Sequence, residues 1–291
     1  MDLDEYQRAT AETDVRPDPQ DPALPLLGLA GEVGSLVTEY KKKLRAPGAY
    51  TGFEVEVRED LGDLMWYVAT LARTLGLSLN QIASENLAKT SSVWTDQLAP
   101  PKQYDATFPP EQQLPRKFTV RFVTAVGTDG LPRVNIYLGT EALGDRLDDN
   151  AYEEDGYRFH DALHLAHAAV LGWSPVTRKL LKRKRKADVR TDRVEDGARA
   201  MVREEGLIAF VFSEASARGF YEGADRVDWD LLKTVRRMVG QLEVADQPPN
   251  AWRRAILQGY EVWRKLRAND GGIVEADLDN RSLTFVAAKD C

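Results

Sequence analysis

The chain has 291 residues, of which 43% are hydrophobic and 29% are charged, and its net charge is −7. This composition is that of a globular protein with room for two domains, and the acidic balance argues against nucleic acid as a partner. The one cysteine, Cys291, excludes an intrachain disulfide and a thiolate metal cage. No apolar run has the length of a membrane span, and the acidic N-terminus is unlike a signal peptide. We therefore expect a cytoplasmic protein without a membrane partner.

Residues 1–97 show helical patterns throughout. A first helix is predicted in DLDEYQRATAET, a second from about Leu26 to Lys43, and a third in EVEVREDLGDLMWYVATLARTLG, where apolar residues recur at threes and fours. A fourth helix is predicted after Ser78, a typical N-cap residue with Gln81 three positions later. Four amphipathic helices with short connections predict a four-helix bundle over residues 1–97.

The rest of the chain predicts a second domain that is mainly helical. Residues 98–115 are polar and proline-rich and predict a linker. Within residues 116–291, small β-hairpins are predicted at KFTVRFVTAVGTDGLPRVNIYLG and at GGIVEADLDNRSLTFVA, with an acidic loop at GDRLDDNAYEEDG. Helical patterns run from Tyr157 to about Phe212 and return near the C-terminus. The whole protein is thus predicted to be mainly α.

Acidic residues recur at helical spacing on the second and third predicted helices. One face carries Glu32, Ser35 and Glu39, and the other carries Glu56, Glu59, Asp60 and Asp63. If these faces pack antiparallel, the carboxylates share a cleft, and buried carboxylates require cations to offset their repulsion and desolvation. Oxygen ligands of this kind suit Mg²⁺ or Mn²⁺. The alternative is a solvated outer face with surface ion pairs.

These stretches also carry a resemblance. LLGLAGEVGSLVTEYKKK and EDLGDLMWYVATLARTLGLSLNQIASENLAKT resemble the MazG-like nucleotide pyrophosphohydrolases of the all-α NTP pyrophosphatase superfamily, and the resemblance covers about residues 2–95. It implies hydrolysis of (deoxy)nucleoside triphosphates to monophosphate and pyrophosphate, with Mg²⁺ held by ExxE and ExxD motifs. It also implies a homo-oligomer, a dimer or tetramer, because family members generally complete the site with a neighbouring subunit. Residues 116–291 resemble the C-terminal region that accompanies some bacterial MazG-like domains.

The resemblance assigns roles to individual residues. Glu32 falls on the first motif, whose second glutamate is replaced by Ser35, and Glu39 is the candidate substitute. Asp63 falls on the aspartate of the second motif, and Asp60, with Glu59 beside it, occupies the glutamate position. The implied metal ligands are Glu32, Glu39, Asp60 and Asp63, and the catalytic carboxylates are Glu32, Glu59 and Asp63. The resemblance places Asn86 and Lys89 near the phosphates, and a polar helix end is the other interpretation of these two. Lys42 and Trp66 are further substrate-binding candidates, with core packing as the alternative for Trp66.

The replacement at Ser35 leaves two functions open. One is an active Mg²⁺-dependent pyrophosphohydrolase that maintains nucleotide pools or takes part in signalling. The other is a catalytically weakened nucleotide sensor whose C-terminal domain carries a second metal-binding activity.

All three histidines lie in GYRFHDALHLAHAAVLGWSP. His160, His164 and His167 recur at i, i+4 and i+7, which places them on one face of a helix. Packed core histidines are one interpretation, and a metal or phosphate site is the other. An HD-type phosphohydrolase would need another histidine upstream, and a zinc protease would need H-E-x-x-H, so carboxylates must complete any site. The candidates are Asp161, Glu195, Asp196, Glu204 and Glu205.

The segment RKLLKRKRKADVR, residues 178–190, is strongly basic. A solvated helix face is one interpretation of such a run. A phosphate-collecting patch or an RNA contact is the other, and the lack of interleaved aromatic residues weakens the RNA interpretation.

Overall fold

Four α-helices form the first part of the chain in the computed structural model, which describes residues 1–95 and 97–287 without the side chains of residues 89 and 92–94. They are α1 (Leu3–Ala9), α2 (Ala23–Arg45), α3 (Phe53–Thr74) and α4 (Leu79–Trp94). The chain divides into two compact units, Met1–Ser91 and Ser92–Cys291, and the first contains α1, α2, α3 and all but the last three residues of α4. All four predicted helices are therefore present, with ends within a few residues of those predicted.

The ends of these helices follow from local sequence. The Glu5 amide donates to the Asp2 carboxylate, and the Asp2 amide donates back to Glu5, so a capping box starts α1. The Gln81 amide donates to Ser78 Oγ at 3.1 Å, which confirms Ser78 as the N-cap of α4. Gly76, with a φ of 68°, supplies the left-handed residue after α3.

The packing of the first unit leaves much apolar surface exposed. α2 packs along α3, and α1 packs against α3. Few apolar side chains are buried, among them Ala69, Ala72 and Leu79. Large apolar side chains on α2, α3 and α4 stay exposed, including Leu27, Val37, Leu44, Val55 and Leu87. A single closed four-helix bundle thus stays a prediction.

The second unit contains a five-stranded antiparallel sheet. Its strands are β1 (Lys117–Val126), β2 (Pro132–Leu138), β3 (Glu141–Leu147), β4 (Gly271–Asp277) and β5 (Ser282–Ala287), in the order β3-β2-β1-β4-β5. Both predicted hairpins, β1–β2 and β4–β5, are confirmed. The sequence did not predict that the two hairpins join into one sheet, which they do because β1 also pairs with β4 from Lys117↔Asp277 to Val123↔Gly271.

Strand β3 was missed by the sequence analysis, which placed most of it in an acidic loop. Its sequence EALGDRL has no clear alternation, and only Leu143 is buried. The strand is held by backbone pairing with β2 instead of by a buried side-chain face. The edge position thus explains why its pattern is weak.

The helices of the second unit are α5 (Asp161–Ala166), α6 (Pro175–Leu180), α7 (Val189–Val194), α8 (Ala198–Ser216), α9 (Trp229–Met238) and α10 (Pro249–Ala268). The helical run predicted from Tyr157 to Phe212 is divided. α5 continues into a π-helical turn, His167–Leu171, which Gly172 ends with a φ of 68°. The predicted helical run is interrupted between α5 and α6, because Gly172 is left-handed and Ser174, the N-cap of α6, is extended.

The core of this unit lies between the sheet and α10. β1 alternates exposed and buried residues, and Phe118, Val120 and Phe122 point into the core. α10 packs against α5, β4 and β5 and is buried along most of its length. Trp252 and Trp263 on α10 are almost completely buried. This packing fixes α5, which carries His164 and is flanked by His160 and His167.

Residues 98–115, predicted as a linker, lie within the second unit. Leu114 is 1% exposed and belongs to its core. The Asp105 carboxylate accepts the Leu114 amide at 2.7 Å and an N–H of Arg178 at 2.8 Å. Within the described ranges, no helix combines the length and the apolar composition that crossing a bilayer requires.

Candidate functional site

The acidic residues of the first unit lie on the paired helices α2 and α3. A Cβ atom on Gly28 would overlap the Tyr67 ring, and the rings of Tyr40 and Phe53 lie 6.3 Å apart. The start of α2 therefore faces the end of α3, and the end of α2 faces the start of α3, so the two helices run antiparallel. Counting turns from these contacts places Glu32 and Asp63 at the same level of the pair.

The exposure of these acids differs. Glu32 and Asp60 are half-buried, whereas Glu59 and Asp63 are exposed. Asp60 Oδ2 is buried and has no hydrogen-bond partner among the described residues. A buried carboxylate oxygen without a partner is costly, by about 1–3 kcal/mol or more for a charged group. Asp60 is thus the acid of this surface that most needs a cation.

Glu39, the candidate substitute for the glutamate missing at Ser35, is already occupied. Lys42 Nζ donates to Glu39 Oε1 at 2.6 Å, and the Tyr50 hydroxyl donates to Glu39 Oε2. The bonds from Lys42 and Tyr50 lower the pKa of Glu39, and the bond to Glu39 raises the pKa of Tyr50 to about 12. Glu39 and Lys42 therefore neutralise each other, and Ser35 is exposed beside them.

The substrate-binding candidates are spread over α3 and α4. Trp66 Nε1 donates to Thr13 Oγ1 at 2.8 Å, and the indole meets the Tyr67 ring edge-on at 5.1 Å. These contacts orient the Trp66 ring, and stacking on a base stays a prediction. Asn86 is exposed on α4. The side chain of Lys89 lies outside the described residues.

The histidines of the second unit form the other candidate site. Within residues 1–95 and 97–287, one group of three metal-compatible side chains brings its ligand atoms within 4.8 Å of one another, and it consists of His160, Asp161 and His164. Glu205 joins it from α8, because its Oε2 lies 3.2 Å from His164 Nε2 and 3.9 Å from His160 Nε2. Sequence reasoning thus found four side chains that the fold brings together.

Glu204 lies behind this group, fully buried. Its Oε1 lies 3.1 Å from His164 Nδ1 and accepts from His167 Nδ1–H at 3.0 Å. Its Oε2 lies 3.1 Å from Ser174 Oγ and accepts the Val176 amide at 3.0 Å. Burial raises the pKa of Glu204, but the neighbouring histidines outweigh burial and lower it to about 2. Glu204 is therefore an ionised carboxylate that fixes both histidines.

The charge of this cluster also acts on His164. Burial lowers the pKa of its imidazole, and the carboxylates of Glu204 and Glu205 outweigh burial and raise it to about 10. In the protein without a metal ion, His164 is thus a cation between two carboxylates. His167, a predicted ligand, contacts Glu204 and the Trp252 ring and lies outside the group of three.

Two other acids proposed for the histidines have different partners. Both oxygens of Asp196 accept from Arg185, at 2.6 Å from its amide and 2.7 Å from its guanidinium. Glu195 accepts the Glu243 amide at 3.1 Å. Asp196 and Arg185 are both fully buried. Their pairing removes Asp196 from the histidine site.

The basic run 178–190 is therefore only partly solvated. Arg178 and Arg185 are 1% and 0% exposed and form a buried ion-pair network with Asp105, Asp196 and Glu243. Neither a solvated helix face nor a phosphate-collecting patch describes these two arginines. Asp105 and Glu243 lie 73 and 58 residues from the arginines with which they pair, so the run by itself gave no sign of these two contacts.

Sequence reasoning missed two groups that support the histidines. Ser174 caps α6 by accepting the Thr177 amide at 2.9 Å, and the dipeptide Ser174-Pro175 is a recognisable helix-start signal. The carbonyl of Tyr157 accepts from His160 Nδ1–H at 2.8 Å, and the two rings stack at 4.3 Å. A backbone acceptor leaves no sequence signal.

Comparison with known proteins identifies a family for the larger unit. A model of the MazG C-terminal domain matches residues 99–289. Over 100 residues the chain is 34% identical to the Gene 37 protein of Mycobacterium phage L5. The aligned stretch covers 32% of this chain and 88% of the phage protein. No solved structure matches the chain. Since the family model spans well over half of the sequence, the chain belongs to the MazG C-terminal domain family.

Proposed function

We propose that the first unit hydrolyses nucleoside triphosphates to nucleoside monophosphate and pyrophosphate, as its resemblance to MazG-like pyrophosphohydrolases implies. Membership of the chain in a MazG-related family supports a nucleotide-related function. The observation that supports the proposal is the antiparallel α2–α3 pair, in which Glu32 and Asp63 are level and Asp60 Oδ2 is buried without a hydrogen-bond partner among the described residues.

The carboxylates of this surface fit a hard divalent cation. Asp60 Oδ2 is buried and unpartnered among the described residues, and Glu32 and Asp63 lie on the same pair of helices, where side-chain rotation would be needed to bring their oxygens to a common ion. In the proposal, Glu32, Asp60 and Asp63 hold Mg²⁺, with Mn²⁺ as an alternative of the same ligand class. When bound, such an ion withdraws charge from phosphate oxygens.

The other polar residues have proposed roles around the phosphates. Glu59 is exposed one residue before Asp60, where its carboxylate can accept a hydrogen bond from the attacking water and orient it. Asn86 and Lys89 on α4 are assigned to the phosphate chain. Lys42 contributes there only if substrate displaces Glu39, to which it is paired. Glu39 is consequently a less effective ligand than the missing glutamate would be.

We also propose that the first unit works as a homo-oligomer, a dimer or tetramer. Large apolar side chains on α2 are exposed: Leu27 by 69%, Val37 by 62% and Leu44 by 62%. Several apolar side chains of α3 and α4 are also exposed. Exposed apolar side chains in this number are unfavourable in a monomer, and a subunit interface would bury them. A second copy covering these helices would complete a helical bundle around the acids.

The test is incubation of the full-length protein with a panel of canonical and modified NTPs and dNTPs in Mg²⁺ or Mn²⁺, with chromatographic separation of products. We expect monophosphate and pyrophosphate. Asp63→Asn should reduce turnover by about 100-fold or more, since single electrostatic groups act on this scale. The matched control is Glu54→Gln, an exposed acid at the start of the same helix, which should keep full activity. Equal activity of Asp63→Asn and wild type would reject the site.

A nucleotide sensor without turnover is the second candidate. Ser35 replaces a carboxylate, and Glu39 is engaged with Lys42 and Tyr50, so one ligand position is unfilled. This candidate predicts micromolar nucleotide binding in calorimetry without any product. Product formation by wild type, lost in Asp63→Asn, would exclude it.

A further inference from the structure

The group formed by His160, Asp161 and His164 with Glu205 belongs to the second unit, whereas the carboxylates assigned to nucleotide hydrolysis belong to the first. His160 Nε2 lies 3.5 Å from Asp161 Oδ1, and His164 Nε2 lies 3.2 Å from Glu205 Oε2. Donor atoms of a tetrahedral site lie about 3.4 Å apart when each is about 2.1 Å from the ion. The spacing of these donors is thus close to that of a preformed metal site.

Both imidazoles present the same nitrogen to the centre of the group. His160 Nδ1–H donates to the Tyr157 carbonyl, and stacking on the Tyr157 ring fixes the ring plane. His164 Nδ1 faces Glu204 Oε1 at 3.1 Å. In metal sites, the histidine nitrogen that does not bind the ion usually contacts a backbone carbonyl or a carboxylate. The Nε2 atoms of both histidines are consequently the ones directed at Asp161 and Glu205.

The support behind the group is rigid and anionic. Glu204 is fully buried and is held by His167, Ser174 and the Val176 amide. The carboxylates of Glu204, Asp161 and Glu205 thus make three around His160 and His164. A divalent cation at the centre would offset this negative charge beside the buried carboxylate of Glu204.

We propose that one divalent transition-metal ion binds between four side chains, those of His160, Asp161, His164 and Glu205. Two imidazole ligands favour Zn²⁺, Co²⁺, Mn²⁺ or Fe²⁺ over Mg²⁺ or Ca²⁺, which prefer oxygen alone. His160, Asp161 and His164 are buried, whereas the Glu205 side chain is 46% exposed. The site therefore opens to solvent on the Glu205 side, where a small anionic ligand can reach the ion.

The test uses full-length protein freed of metal by a chelator and titrated with Co²⁺ in excess Mg²⁺. Magnesium occupies hard oxygen sites, so the visible absorption of bound Co²⁺ reports imidazole-containing sites. We expect one Co²⁺ per chain. Glu205→Gln should weaken Co²⁺ binding at least tenfold, and Glu214→Gln, a half-buried acid on the same helix that pairs with Arg218, should leave it unchanged.

A second variant, His160→Asn, removes one imidazole and keeps the proposal testable if Glu205→Gln unfolds. It should also lower Co²⁺ affinity and change the absorption spectrum. Absence of Co²⁺ binding by wild type would overturn the proposal, as would equal binding by wild type, Glu205→Gln and His160→Asn. The readout is independent of nucleotide hydrolysis, so failure here leaves the function of the first unit untouched.

Discussion

Replacement of Asp196 by asparagine tests the buried ion-pair network of the second unit. Asp196 is fully buried and accepts three hydrogen bonds from Arg185, at 2.6 Å from the amide, 2.7 Å from Nη2 and 3.2 Å from Nε. Asparagine keeps the shape of the side chain, but it removes the charge and turns an N–H donor towards the guanidinium. Arg185 would then remain buried with Glu243 as its one carboxylate partner among the described residues.

The expected cost follows from burial. Removing one partner of a buried ion pair destabilises a protein by about 3–5 kcal/mol, because the other charge stays out of water. In a unit of this size, 1 kcal/mol shifts the melting temperature by about 2–4 °C. Asp196→Asn should therefore lower the melting temperature of the second unit by roughly 6–20 °C.

The assay is differential scanning calorimetry combined with tryptophan fluorescence. Trp173, Trp252 and Trp263 are all 0–1% exposed in the second unit, so their emission reports its unfolding. Asp230→Asn is the control, since its side chain is 88% exposed and pairs only with Lys233 at the surface among the described contacts. A shift for Asp196→Asn no larger than that for Asp230→Asn would refute the argument from burial.

Three other predictions concern different parts of the fold. The Asp14 side chain is 2% exposed, and its bonds to Arg16 and Arg73 hold its pKa below the ordinary 3.8, although burial opposes them. The stability that ionised Asp14 contributes is present above about pH 4 and is lost as the pH falls through the folded-state pKa. In an acid titration followed by circular dichroism, Asp14→Asn should therefore lose less stability than wild type. An unchanged profile would contradict this reasoning. Gly172→Ala should destabilise the second unit by at least about 2 kcal/mol in urea, since φ is 68° and the new Cβ would overlap the Lys102 carbonyl oxygen. Gly206→Ala, an open site within α8, should be neutral or stabilising, and equal costs at both glycines would refute the reasoning. The double variant Val37→Glu, Leu44→Glu should convert an oligomer to a monomer in sedimentation velocity. The control Val189→Glu changes a similarly exposed valine of the second unit and should not. A monomeric wild type would contradict the proposed interface.

Local patterns in the sequence were sufficient to predict most of the helices and strands. The alternation of β1 arises because one face of the strand is buried, and such a face is visible in the sequence. The threes-and-fours pattern of α3 predicted the helix correctly, although Leu61, Met65 and Val68 on it stay exposed. Ser78 as a helix cap and Gly76 as a left-handed residue depend on neighbouring backbone alone. The three aligned histidines and the pair Glu204–Glu205 were likewise visible as candidates.

The tertiary structure decided which candidates meet. Glu204 and Glu205 come from α8, about forty residues beyond the histidines, and the packing of α8 and α5 selected them over Asp196. Asp196 forms an ion pair with Arg185, because burying either charge alone would cost several kcal/mol. The same packing removed Arg178 from solvent, and backbone pairing of β1 with β4 joined two hairpins that sequence analysis had kept apart. Sequence determines which side chains are available, but long-range pairing of charges and strands depends on the summed energy of the folded core, which no local pattern records.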